Sequence, residues 1–126
     1  MKRIVTTPHA PSAVGPYSQA VWAGDTLYIS GQIALDPTNG AMVGSTAAEQ
    51  TEQIFKNIGA ILQAEGLDFA AIVKMTVLLT DMRDFSAVNE VYAKHLPRDF
   101  PARAAYQVSA LPKGALVEIE TIAYRG

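Results

Sequence analysis

Only two stretches of this chain repeat their apolar residues at helical spacing, and that count limits what the chain can fold into. The first opens at Thr46, which stands three residues before Glu49, the spacing of a capping box. Ile54, Ile58, Ile61 and Leu62 then fall at i, i+4, i+7 and i+8, and Gly66 stands where a left-handed residue ends a helix. The second is expected to be capped by Asp84, to carry Phe85, Val88, Tyr92 and Leu96 on one face, and to stop at Pro97.

The remaining regular pattern is strand. Residues 3–7 read as a short first strand and 8–16, rich in proline and small residues, as an ordered loop. Segments 17–23 and 26–33 flank Gly24-Asp25, a two-residue hairpin turn, and residues 36–40 are dense in turn formers. Residues 72–80 are apolar almost throughout and read as a strand buried on both faces. Segments 102–109 and 116–124 read as two strands joined by a loop holding Leu111-Pro112-Lys113-Gly114. The order is β-β-β-α-β-α-β-β, an α+β chain with a mixed sheet. Two helices cover only one face of so wide a sheet, so the other face is expected to meet another subunit.

Composition points the same way. Charged residues make up 17% of the 126, against roughly 25% in an ordinary soluble domain. Hydrophobic residues reach 49%, yet no apolar run approaches the ~20 residues of a spanning helix. The length suits a single domain over 1–126, and one so poor in charge must cover its surface by association. With no cysteine, disulfides, thiolate nucleophiles and zinc ribbons are excluded. A net charge of -2 without a Lys/Arg cluster argues against a dedicated nucleic-acid binder. Lys2 and Arg3 are followed by Pro8 and Pro11 rather than an apolar segment, so a cytoplasmic location is expected.

The last two strands carry the candidate chemistry. In 117–122, Glu118 and Glu120 point to one face while Val117 and Ile119 point to the other. If the two strands pair as a symmetric hairpin with Ser109 opposite Leu116, Gln107 faces Glu118, Ala105 faces Glu120, and Arg103 shares their face. That trio is either a structural ion pair or an anion receptor beside a general base. Arginine suits a carboxylate ligand because its planar fork donates two parallel hydrogen bonds. A glutamate nearby can hold or deprotonate a water. Parity alone does not choose between Glu118 and Glu120, and Arg98, in a loop, reads as a solvated charge. Ser30-Gly31-Gln32 follows a strand, but no nucleophile elbow is present and His9 and His95 are the only histidines. No metal-ligand spacing and no phosphate-binding glycine motif occurs, so no metal is expected.

Read together, these segments resemble the Rid (reactive intermediate deaminase, or YjgF) family, and within it the RidA-type imine deaminases. The likeness is carried by Ala10-Pro11, by Val14 to Ala20, by Tyr28 to Ile33, and by Ile72 to Val77 with Asp81. It continues through Asp84-Phe85, Val88 to Tyr92, Phe100 to Arg103 and Leu111 to Glu120. The resemblance implies a chorismate-mutase-like fold, a homotrimer around a central β-barrel, and sites between subunits. It also implies hydrolysis of 2-imino acids (2-iminopropanoate and 2-iminobutanoate, products of pyridoxal-phosphate dehydratases) to 2-oxo acids and ammonia, without a cofactor in the deaminase.

By the same resemblance, Arg103 matches the arginine that grips the substrate carboxylate and Glu118 the residue that positions the attacking water. Tyr17, Ser30, Gly31 and Asn89 match pocket residues, and Glu120 becomes a structural partner. Two departures stand out. Ala105 occupies a position where many RidA-type members have cysteine, a position acting mainly through its backbone. The stretch between Tyr92 and Phe100 is shorter than in better-known members, which bears on substrate range. The rival readings are an endoribonuclease or translation inhibitor, a Rid relative for another C=N substrate, and a non-catalytic, carboxylate-binding or chaperone-like trimer.

Overall fold

The computed structural model describes residues 1–126. Its strands are β1 (Arg3–Val5), β2 (Ala20–Ala23), β3 (Thr26–Gln32), β4 (Ile72–Leu79), β5 (Ala102–Gln107) and β6 (Val117–Tyr124). The helices are α1 (Ala47–Ala64) and α2 (Phe85–His95). The expected order of elements is therefore observed, and the strands form one six-stranded mixed sheet in the order β1-β2-β3-β6-β4-β5. No helix is long and apolar enough to cross a membrane.

Local chemistry explains the helix ends. Thr46 Oγ1 accepts from the Glu49 amide at 3.1 Å, and Glu49 Oε1 accepts from the Thr46 amide at 3.2 Å, which completes the capping box. At the other end Gly66, at φ 74°, lets the Leu67 amide reach the Leu62 carbonyl at 2.9 Å while its own amide reaches Gln63 at 3.0 Å. That is the Schellman arrangement, and it turns the chain sharply off α1. The second start differs from expectation. Asp84 makes no side-chain cap; Asp81 instead accepts from the Arg83 amide at 2.9 Å and caps a short 3-10 turn that runs into α2. Leu96 is already extended, as the residue before Pro97 must tend to be.

Both helices lie on one face of the sheet. Ile54, Phe55, Ile58, Ile61 and Leu62 of α1 join Val88, Val91 and Tyr92 of α2 against Trp22, Leu27, Ile29, Met75, Val77, Val117 and Ile119 in one core. The opposite face has no cover in a single chain. Val21, Tyr28, Leu78, Tyr106, Ile122 and Tyr124 share it with Lys74 and Glu120, and Tyr28, Tyr106 and Tyr124 are each about half exposed. The second face of β4, expected to be buried, belongs to this uncovered surface.

The largest correction concerns the last two strands. They do not form a hairpin. β5 runs parallel to β4, with Met75 beside Arg103 and Val77 beside Ala105, while β6 inserts antiparallel between β3 and β4. The helix α2 is the crossover that parallel pairing of β4 and β5 requires. Directly paired residues share a sheet face, so Arg103 lies with Met75 on the helix side, whereas Glu118 and Glu120, beside Leu78 and Thr76, lie on the open side. The arginine and the two carboxylates are on opposite faces of the sheet.

Candidate active site

Glu118 stands on β6 with the backbone of Gly31 directly against it. A Cβ at position 31 would fall 2.9 Å from Glu118 Cδ and nearer still to Oε2, so only glycine leaves the carboxylate where it is. The two residues line a cleft of about 520 Å³, with Tyr17, Ser30 and Lys113 among its walls. Burial pushes the Glu118 carboxyl above its ordinary value, and the negative charge of Glu120 on the same face adds to the shift.

The loop before β2 forms the outer wall, and buried Gln19 holds it. Its Oε1 accepts from the Thr7 amide at 2.7 Å, and its Nε2 donates to the carbonyls of Thr7, Ala10 and Pro11 at 3.0, 3.2 and 2.8 Å. A proline-rich loop has few amides with which to hold itself, so one amide side chain serves in their place. Ser30 Oγ donates to the Ser18 carbonyl at 2.6 Å, tying β3 to the same loop, and the Tyr17 hydroxyl accepts from the Val14 amide at 3.3 Å.

Arg103 occupies a second cleft, of about 440 Å³, with Asn89, Tyr92, Ala93, Phe100 and Pro101. Its Nη1 donates to Asn89 Oδ1 at 2.6 Å. Its Cζ lies 4.8 Å from the centroid of the Tyr92 ring and 5.2 Å from that of Phe85. None of the ion pairs in the chain involves it. Arg103 therefore keeps its full positive charge, and most of its guanidinium donors stay free.

Ala105 follows on the same strand, two residues along. The Val108 amide donates to the Leu79 carbonyl at 2.8 Å, so strand alternation turns the backbone groups of Ala104 and Tyr106 toward β4. The N–H and C=O of Arg103 and Ala105 then face the free edge of the sheet, beside the arginine head group.

Tyr17, Ser30, Gly31 and Glu118 thus meet in one cleft, and Arg103 and Asn89 in another, with Ala105 at its edge. Within one chain the two sets do not meet. Gln19 and the aromatic partners of Arg103 were missed in the sequence. Phe85, Asn89 and Tyr92 fall at i, i+4 and i+7; Phe85 and Tyr92 read in the sequence as core beside Val88 and Leu96, with no mark of the arginine they face. His95 stacks on Phe55 with centroids 5.0 Å apart and bonds Glu52, which also pairs with Lys94, so it serves helix packing. No three His, Asp or Glu side chains converge as a metal-binding group.

Over residues 7–125 the chain matches the model of the family described as Endoribonuclease L-PSP, and it belongs to that family, the Rid or YjgF family. It is 53% identical to a human protein named 2-iminobutanoate/2-iminopropanoate deaminase, over all of this chain and 92% of that protein. Among solved structures it is similar to RidA from an Antarctic Psychrobacter, at 49% identity and a TM-score of 0.94, covering 98% of this chain and 99% of that one. It is also similar to Escherichia coli TdcF with bound serine, at 40% identity and a TM-score of 0.90, with the same coverage. These likenesses run the length of the chain and agree with the fold expected from the sequence.

Proposed function

We propose that this protein hydrolyses small 2-imino acids to 2-oxo acids and ammonia, in sites built by two copies of the chain. The carrying observation is the division of the machinery. An arginine with an unpaired charge lies on the helix side of the sheet edge, and a carboxylate with a raised pKa lies in a cleft on the open side. Neither half completes a site alone. A neighbouring copy that covers the open face brings its Arg103 edge to the Glu118 cleft, and a closed ring of three such copies repeats the contact without leaving an end. The full-length likeness to named imine deaminases supports the same reading, and so does a relative that binds serine, a small amino carboxylate.

The chemistry is modest. Arg103 binds the substrate carboxylate through two parallel hydrogen bonds and fixes the adjacent C=N carbon. A water held by Glu118 adds its oxygen to that carbon, and the proton it releases passes by way of the Glu118 carboxylate to the imine nitrogen, giving a carbinolamine. The carbinolamine hydroxyl then gives up its proton to the nitrogen as the C=O bond forms and the C–N bond breaks, expelling ammonia. The backbone carbonyl of Ala105, free at the sheet edge, is a second acceptor for the water, a role that asks nothing of the side chain at this position. Tyr17 and Ser30 shape the pocket, Gly31 places its backbone near the imine nitrogen, and Asn89 orients the arginine. Ribonuclease action, named in the family's description, would need a phosphate-binding footprint. The net charge of -2 and the unclustered cations do not supply one.

The test generates 2-iminopropanoate or 2-iminobutanoate with an amino-acid oxidase, traps remaining imine with semicarbazide, and adds the protein. Less trapped imine with wild type, and no such loss with Arg103→Ala or Arg103→Lys, is expected. Lysine fails because a point charge does not reproduce the fork. Unchanged trapping with wild type overturns the reading in favour of a carboxylate-binding module.

A further inference from the structure

Arg103 projects from an edge strand, where one neighbouring strand instead of two holds the backbone, and no carboxylate restrains its side chain. An arginine so placed would ordinarily sweep a wide arc, and side-chain freedom would be lost on every binding event. Here α2 presents one stripe to it. Phe85, Asn89 and Tyr92 follow one another at i, i+4 and i+7, so all three meet the same guanidinium. Both rings lie within the ~6 Å over which an aromatic face attracts a cation.

Two rings do what an acidic partner does not. A carboxylate at this place would orient the guanidinium but would also occupy its fork and neutralise its charge. An aromatic face attracts the cation through the ring quadrupole, takes up no N–H donor and leaves the charge intact. Asn89 takes one donor as a neutral acceptor and fixes the rotation of the group. Of Tyr92, only the ring has this use. Its hydroxyl is buried without a hydrogen-bond partner in the chain, and the residue is 4% exposed.

We infer that Phe85 and Tyr92 are positioning residues of the deaminase site, an aromatic cradle on α2 that holds the Arg103 fork ready for a substrate carboxylate without neutralising it. The inference rests on the reading of Arg103 as carboxylate receptor. It assigns to the helix face a role beyond core packing. Because carboxylate binding is shared by ground and transition states, loss of the cradle raises KM and leaves kcat nearly unchanged.

The experiment measures binding of 2-oxobutanoate, the product formed from 2-iminobutanoate, which needs no turnover, by calorimetry on the full chain, together with KM and kcat. Phe85→Leu and Tyr92→Leu keep apolar volume and remove the ring, and each should weaken 2-oxobutanoate by roughly three- to tenfold. Tyr92→Phe should restore the affinity lost in Tyr92→Leu. Because leucine can also disturb packing, a second series replaces Phe85 with mono-, di- and trifluorophenylalanine. Fluorine drains the ring face while its shape is nearly kept, so log Kd should climb stepwise with fluorine number. A flat fluorine series with wild-type affinity in both leucine variants overturns the cradle alone. Failure of the wild-type protein to bind 2-oxobutanoate overturns the carboxylate-receptor reading and the cradle with it.

Discussion

Gly31 and Glu118 touch across the β3–β6 boundary so closely that any side chain at 31 would have to displace the carboxylate. The contact falls where the β3–β6 register breaks, between Ile29 and Gln32. Gly31 is not in the left-handed region, so alanine is compatible with the backbone there. Gly31→Ala should therefore fold with a melting temperature within a few degrees of wild type, yet lose about 100-fold in kcat/KM, as a displaced catalytic group does. Wild-type turnover in a folded Gly31→Ala protein would show that the position of Glu118 is not critical.

The raised Glu118 carboxyl sets a pH dependence whose sign follows from its role. Holding water for attack needs the ionised, accepting form, so activity rises as pH passes upward through the raised pKa. The acid limb of kcat/KM should lie above the ordinary carboxyl value of 4.5. Glu120→Gln removes the second cause of the shift and should move that limb toward lower pH. Stability runs the other way. A carboxyl whose folded pKa is raised favours the fold while protonated, and that contribution is lost as pH climbs through the folded pKa. Glu118→Gln should accordingly gain melting temperature relative to wild type at pH 8 and gain little or nothing at pH 4.

The uncovered sheet face carries the third prediction. Ile122 lies beside Tyr28 on one side and Lys74 on the other, in the middle of that face. Ile122→Lys adds a cation beside Lys74 in each copy without entering the helix-side core. The expected product has wild-type far-ultraviolet circular dichroism, sediments as a monomer and is inactive in the trapping assay. An active monomer would overturn the two-copy site.

Much of this was legible in the residues, and what was not has a physical cause. The ends of α1 were readable because capping boxes and Schellman glycines act within five residues of chain. The order of elements was readable because period 2 and period 3.6 are local patterns. Strand partnership is not local. Nothing in residues 102–124 distinguishes a hairpin from a strand that slips between two earlier ones, and α2 reveals parallel pairing only once the crossover is considered. The misplaced face of Arg103 followed from that single error. Asp84 failed as a cap for a smaller reason, since Asp81, three residues earlier, caps a preceding turn. The resemblance singles out Arg103 and Glu118 whatever the strand pairing, because a motif is read without knowing which sheet face each residue occupies.

That face assignment yields the most direct test of the shared site. If Arg103 serves the Glu118 cleft of a neighbour, Arg103→Ala and Glu118→Gln damage different halves of each contact. A mixed ring then holds a junction in which an intact arginine from the Glu118→Gln copy meets an intact glutamate from the Arg103→Ala copy. Random mixing of equal amounts in rings of three places one good junction in each mixed ring, which amounts to about a quarter of wild-type activity. Each variant alone should be nearly inactive, and activity should reappear after the two are unfolded and refolded together. A site contained in one chain would give no such recovery, and the absence of recovery in refolded mixtures that contain verified hybrid rings would return Arg103 and Glu118 to separate functions.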